Sequence, residues 1–210
     1  PVSRFEISDD LNIEGNLTFT GTAQITGATI DGTLNTIQNI PNSALAPYLK
    51  KIRISPEYND STLSSDGSDN IGTMKLEHEN NGANQKYNFY QWTTNLAAAQ
   101  DLDIVIRYQL PTDFVSFDAN PITLTYQTAD TVISNNSVNL TLNDSNDVPV
   151  NVVGATNLTS PGIWTDAAIT FAGSPTFTPG TFIEFTIKAN TINSGKYVKL
   201  GDLVLNYNGR

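Results

Sequence analysis

A glycine recurs about every six residues near the start of the chain, and this repeat restricts how the segment can fold. Gly15, Gly21, Gly27 and Gly32 each follow an apolar residue by two positions. Apolar and polar residues alternate between the glycines, which predicts strands of about five residues broken by glycine turns. Strands this short cannot close a core alone, so their apolar side chains need a partner surface.

The apolar positions of this segment form one stripe along the repeat. Its members are Ile13, Leu17, Phe19, Ile25, Ile30, Leu34, Ile37 and Ile40. The stripe could pack on the chain's own globular part, or identical stripes from neighbouring chains could wrap around a common axis. The regular spacing favours the second arrangement, because each layer along a symmetry axis repeats the same environment. Residues 1–40 are therefore predicted to form an intertwined β shaft that oligomerises and attaches the protein.

A change of pattern follows the repeat. Residues 41–50, PNSALAPYLK, contain two prolines and predict a neck. Residues 51–210 then alternate apolar and polar positions in many short runs, as antiparallel sheets with one face on a core do. In DLDIVIRYQL, for example, Ile104 and Ile106 are predicted to point inward. NLAAAQD is the best helical candidate, and it is short.

The runs predict an all-β head, an antiparallel β-sandwich of the jelly-roll type. The predicted strands are 51–55, 73–79, 86–93, 101–110, 122–128, 137–143, 148–153, 168–172, 181–189 and 197–207.

Composition excludes several classes of protein. The chain has 210 residues and a net charge of -10, so phosphate backbones would repel it and nucleic-acid binding is not expected. The chain contains no cysteine, which excludes disulfides and a thiol nucleophile. No apolar run is long enough to insert in a membrane. The chain begins with Pro1 rather than Met, so we expect a processed protein or a fragment.

Catalytic patterns are missing from the sequence. His78 is flanked by Glu77 and Glu79, but neighbours in a strand point to opposite faces, so these groups do not converge. Asp101 and Asp103 share a face, as residues of any exposed strand do. No nucleophile elbow, phosphate-binding glycine loop or zinc-binding histidine pair occurs. We therefore expect no enzymatic activity.

Two acidic loops offer the oxygen ligands that Ca²⁺ prefers. One contains Asp66 and Asp69, and the other contains Asp144 and Asp147. Neither loop has the spacing of an EF-hand, and Asp, Asn, Ser and Gly also build ordinary turns. Bound Ca²⁺ is thus one interpretation of these loops and plain turns are the other; no further cofactor is predicted.

The tryptophans suggest a binding surface. YNFYQW places Trp92 on one strand face, and Trp164 follows a Pro-Gly turn in SPGIWTD. Exposed Trp and Tyr rings can stack on sugar rings, so Trp92 and Trp164 are candidate glycan-binding residues. The alternative is that these rings fill the core or a subunit interface.

Two stretches resemble a known class of protein. LNIEGNLTFTGTAQITGATIDGTL with NTIQNIPNSALAP resembles the shaft and neck of bacteriophage fibre and spike proteins. WTTNLAAAQDLDIVIRYQLPTDFVSF, NPITLTYQT and GKYVKLGDLVLNYNGR resemble jelly-roll-like modules at the ends of phage virion appendages. The resemblance implies a homotrimer in the virion without catalysis, bound to other virion proteins through its N-terminal segment. It also implies possible contact between the head and host surface glycans.

Other functional classes remain open at this point. Tail fibres and capsid-attached head fibres or decorations share these features. A carbohydrate-binding module of a secreted protein has the same sandwich and predicts sugar binding that does not depend on residues 1–40. A small glycosidase and a bacterial adhesin domain are further alternatives.

Overall fold

The computed structural model describes residues 46–66, 68–80 and 86–210. All regular elements in these ranges are β-strands, and they pair into two antiparallel sheets around one core. The predicted all-β sandwich is thus confirmed. The predicted shaft and most of the predicted neck lie outside the described residues. The described residues contain no helix long and apolar enough to cross a membrane.

One sheet has seven strands and the other has five. The seven-stranded sheet contains β1 (Tyr48–Ile54), β3 (Thr73–Asn80), β4 (Lys86–Thr93), β6 (Phe114–Thr128), β9 (Val152–Val153), β10 (Thr165–Phe171) and β12 (Val198–Gly209). The five-stranded sheet contains β2 (Ser61–Ser64), β5 (Gln100–Gln109), β7 (Asn136–Asn143), β8 (Pro149–Val150) and β11 (Phe182–Thr191).

The strand order is that of a jelly roll. The first sheet runs β3-β4-β12-β6-β10-β9, with β1 beside the second half of β12, and the second runs β2-β5-β11-β7-β8. When β1 to β3 and the short β9 are left out, the remaining eight strands can be numbered 1 to 8 in chain order. One sheet then has the order 1-8-3-6 and the other has the order 2-7-4-5. This order confirms the jelly roll within the sandwich class.

Inward-facing apolar side chains of both sheets form the core. Ile104 and Ile106, which were predicted to point inward, are buried. Core residues below 2 % exposed include Ile104, Ile106, Ile122, Leu124, Leu140, Leu142, Ile183, Phe185 and Ile187. Phe185 pairs with Ile106 on one side and Leu142 on the other, so one row crosses the five-stranded sheet at its centre. Burial of each such side chain contributes about 1.5–3 kcal/mol, and the core therefore holds the two sheets together.

Several predicted elements differ from the structure. β1 begins at Tyr48, inside the predicted neck, and β2 was not predicted because STLS contains a single apolar residue. The predicted strand 148–153 is divided at Asn151 into β8 and β9, which belong to different sheets. The helical candidate NLAAAQD forms no helix, because residues 95–99 form a loop and Gln100 already begins β5. Its alanines face solvent, so no apolar face stabilises a helix there.

Candidate functional site

Trp92 belongs to the core, which corrects its assignment as a glycan-binding residue. Its side chain is 2 % exposed on the inner face of β4, and its Nε1 donates to the backbone oxygen of Gln100 at 3.0 Å. Gly72 packs so closely that a Cβ there would lie 2.5 Å from the indole. A ring enclosed in this way cannot stack on a ligand at the surface.

Trp164 lies on the outer face of the seven-stranded sheet. The Pro-Gly turn before it is held by β6, since the Gly162 amide donates to the Thr128 carbonyl at 2.9 Å and Gly162 adopts φ +65°. Because Trp92 points inward, Tyr87 and Phe89 on the same strand point outward. The Trp164 ring stacks against Tyr87 at 4.4 Å between centroids and meets the edge of Phe89 at 5.3 Å.

We call Tyr87, Phe89, Trp164, Tyr197 and Lys199 the outer aromatic cluster. Trp164 is 9 % exposed and Phe89 is 2 % exposed, although neither belongs to the core between the sheets. Tyr87 and Tyr197 are half-buried and form the part of the cluster that faces solvent. Tyr87 thus covers Trp164, and the role of Trp164 as a glycan-binding residue stays a prediction.

Lys199 places a positive charge among these rings. Its Nζ lies 4.8 Å from the centroid of Phe89, 5.3 Å from that of Tyr197 and 5.8 Å from that of Trp164. The same atom pairs with the Glu79 carboxylate at 2.5 Å. Cation–π attraction and the ion pair together hold the ammonium in place. Both interactions are more favourable where water is largely excluded.

Two buried polar atoms beside the cluster lack a partner among the described residues. They are Nε1 of Trp164 and Oε1 of Gln127. Gln127 pairs with Lys199 across β6 and β12, so it lies on the same outer face. One unsatisfied donor and one unsatisfied acceptor thus accompany the aromatic rings, and a buried polar group without a hydrogen bond is costly.

Sequence reasoning did not find Lys199 or Gln127. They are far from Trp164 in sequence, and the pairing of β12 with β4 and β6 brings them to it. The alternation of Lys199 with the apolar Val198 and Leu200 showed that its side chain points outward, but not which rings it meets.

The acidic loop at 144–147 forms a turn in the structure. The Asp144 carboxylate accepts the amides of Asn146 at 2.8 Å and Val148 at 2.9 Å, and Asp147 accepts the Asn143 amide group at 2.8 Å. In the other loop, the carbonyl of Asp69 accepts the Asp101 amide at 2.8 Å. Hydrogen bonds within their own loop therefore engage the carboxylates of Asp144 and Asp147. Among the described residues, no group of three or more histidines and carboxylates is placed to hold a metal ion.

Asp66 belongs to an ion-pair network on the outer face of the five-stranded sheet. Lys188 Nζ lies 3.3 Å from carboxylate oxygens of Asp66, Asp101 and Asp103. The hydrogen bond from the Ser68 amide, and then that from Lys188, lower the pKa of Asp66. Burial raises the pKa of Asp103, and Lys188 opposes this effect. The carboxylates Asp101 and Asp103 do share a face, as predicted, and both contact this lysine. His78 is exposed on β3.

Comparisons with known proteins give likenesses in structure but not in sequence. No family model and no curated protein matches the sequence. A family two carbohydrate esterase from Cellvibrio japonicus aligns with a TM-score of 0.41 and 12% identity over 78% of this chain and 35% of that chain. The module TmCBM61, solved with beta-1,4-galactotriose, aligns with a TM-score of 0.36 and 11% identity over 75% of this chain and 88% of that chain.

A phage protein is also among the structural neighbours. The enzymatically active domain of bacteriophage CBA120 tailspike protein 4 aligns with a TM-score of 0.38 and 12% identity over 71% of this chain and 19% of that chain. The chain spans about a third of the esterase chain and about a fifth of the tailspike chain. Likenesses at this level of identity and TM-score carry no argument about what the chain binds.

Proposed function

We propose that this protein is a carbohydrate-binding β-sandwich that holds a glycan at the outer aromatic cluster. The observation that carries the proposal is a set of stacked aromatic rings on the outer face of the seven-stranded sheet, outside the core between the sheets. Phe, Tyr and Trp on an outward face are not required to hold the two sheets together. Flat rings with a few polar groups around them are a surface suited to sugar rings.

The polar groups of the cluster favour a neutral glycan. Lys199 is already paired with Glu79, so its charge is compensated. The chain carries a net charge of -10, which opposes the approach of a polyanion. Tyr87, the half-buried ring that stacks on Trp164, offers the stacking surface.

The test compares the half-buried Tyr87 of the cluster with the exposed Phe182 on the other sheet. Full-length protein is applied to an array of neutral and acidic glycans, and the best glycan is then titrated by calorimetry. Tyr87→Ala should weaken binding about tenfold or more, because loss of a stacking ring removes on the order of 1–2 kcal/mol. Phe182→Ala, at a ring that is 40% exposed on the five-stranded sheet, is the matched control and should bind as the wild type does.

The same variants distinguish binding from packing. If Tyr87→Ala lowers the midpoint of urea unfolding and leaves glycan affinity unchanged, the cluster serves packing alone and the proposal fails. Absence of glycan binding by the wild type would also reject it.

We propose in addition that the sandwich is the head of a trimeric virion fibre, spike or capsid decoration without catalytic activity. This second proposal is supported by the apolar stripe of residues 1–40. Glycan binding and a place in a fibre are compatible.

A further inference from the structure

One edge of β6 lacks a strand partner over half its length. β12 pairs with β6 at Phe114, Ser116 and Phe117 and again from Ile122 to Thr128, with a bulge at residues 118–121, but β10 pairs with the other edge only between Ile122 and Tyr126. Pro121 has no N–H to donate, so the ladder with β10 ends next to it. β10 then pairs with β9 through Phe171 and Val152. Over 114–120, no strand of the described residues covers this edge of β6.

The divergence of the two strands opens a cleft of about 450 Å³. Residues 114–121 form one wall and residues 170–177 form the other. Four phenylalanines pack edge to face along it. Phe117 lies 4.9 Å from Phe114, 5.3 Å from Phe171 and 5.0 Å from Phe177 between ring centroids. The cleft therefore joins an unpaired strand edge to an aromatic floor.

The unpaired edge defines the kind of ligand. An antiparallel strand uses the N–H and C=O of alternate residues toward each neighbour. Over 114–117, where β6 pairs with β12, the groups not directed at β12 therefore point toward the cleft, except the Phe114 amide, which donates to the Pro111 carbonyl at 3.1 Å. Side chains do not obstruct the approach, since Val115 is 40% exposed and Ser116 and Ala119 are exposed. An extended backbone can supply the missing ladder, while its side chains occupy pockets between the strands.

The charge of the residues that line the cleft further restricts which ligand would fit. Asp118 is the one charged side chain among the described residues that line the cleft. It forms no hydrogen bond or ion pair with any other described residue. A cationic side chain beside Asp118 and a large apolar side chain over Phe117 and Phe177 would match the two features of the lining.

We propose that the cleft binds an extended segment of a partner protein, with alternating basic and apolar residues, as an added β-strand next to β6. The site is separate from the outer aromatic cluster, and the inference does not depend on glycan binding. It concerns residues 114–120 and 170–177, whereas the cluster is built on β4, β12 and the turn before β10.

The first test uses synthetic peptides and the full-length chain labelled with ¹⁵N. The probe is acetyl-Thr-Lys-Phe-Lys-Val-Thr-amide, titrated while amide resonances are recorded. Saturable shifts confined to residues 114–120 and 170–177 are expected. Two controls carry N-methyl groups on alternate residues, one at both lysines and the other at Phe and Val. In a single added strand, one set faces β6 and the other faces away, so one control should lose binding at least about tenfold and the other should bind.

The second test concerns the charge. Replacing both lysines of the probe by glutamate should weaken binding, and Asp118→Lys should reverse that preference. Glu77→Lys is the matched control, since it makes the same charge change at an exposed position on β3. Failure of the lysine probe to saturate, an equal effect of the two methylation patterns, or a reversal by Glu77→Lys as strong as that by Asp118→Lys would overturn the proposal.

Discussion

Single side chains connect separate loops of the sandwich, and Asp130 is one of them. Its carboxylate accepts the Val132 amide at 2.8 Å and the Asn135 side chain at 3.1 Å. It also pairs with Lys196 Nζ at 2.5 Å, which links the loop after β6 to the loop after β11. Burial alone would raise the pKa of Asp130, but the bonds from Lys196, Asn135 and Val132 outweigh it and lower that pKa from 3.8 to about 2.

A pH dependence of stability follows from this residue. Because the pKa of Asp130 is lower in the folded protein, its contribution is present above about pH 4 and is lost as the pH falls toward 2. Asp130→Asn should lower the free energy of unfolding at pH 7 by on the order of 1 kcal/mol, allowing for solvent screening. The difference from wild type should shrink between about pH 4 and 2 in urea titrations. Asp118→Asn, at an unpaired carboxylate, should show no such convergence; a constant difference for Asp130→Asn would contradict the assignment.

At the scale of elements, β12 joins the parts of the seven-stranded sheet. It pairs with β6 on one edge and with both β4 and β1 on the other. The register with β6 shifts between Leu200 and Leu203, where Gly201 packs with its Cα against Thr125. The hydroxyl of Tyr58, a residue that is 1% exposed between β1 and β2, donates to the carbonyl of Gly201. Burial raises the pKa of Tyr58 well above its usual range, so this hydroxyl stays protonated as a donor.

Tyr58→Phe tests this connection. The change keeps the ring but leaves the Gly201 carbonyl without its buried donor, which should cost about 1–3 kcal/mol of unfolding free energy. Tyr108→Phe is the control, since its half-buried hydroxyl forms no hydrogen bond with another described residue. Urea unfolding midpoints measure both. Equal midpoints for the two variants would show that the Tyr58 hydroxyl does not anchor β12.

Alternation predicted the strands that border the core on one face. Ile183, Phe185 and Ile187 lie in β11 as expected, because a period of two and burial of one face coincide there. β2 and the division at Asn151 were not predictable in this way. The strands β2, β8 and β9 are short. Their pairing with β5, β7 and β10 stabilises them, and their own composition does not predict them.

At the scale of the whole molecule, assembly remains a prediction from the apolar stripe. Light scattering coupled to size exclusion should give the full chain a mass about three times 22.8 kDa. Phe19→Asp and Ile25→Asp should reduce it to that of one chain, because a charge on an apolar axis is costly. Thr18→Asp and Thr20→Asp, at polar positions of the same repeat, are the controls. A wild-type monomer would contradict the trimer, and full-mass assemblies of Phe19→Asp and Ile25→Asp would contradict the role of the stripe.

The sequence by itself determined the fold class and the inward face of strands such as β5 and β11. These properties depend on local alternation, as in Ile104 and Ile106, and on the thermodynamic need to bury apolar side chains. Only the tertiary structure decided the strand order, the burial of Trp92, the assembly of Lys199 and Gln127 around Trp164, and the unpaired edge of β6. Each of these depends on which distant strands pair and in which register. Alternation says which way a side chain points, but carries no information about the residue that it will meet.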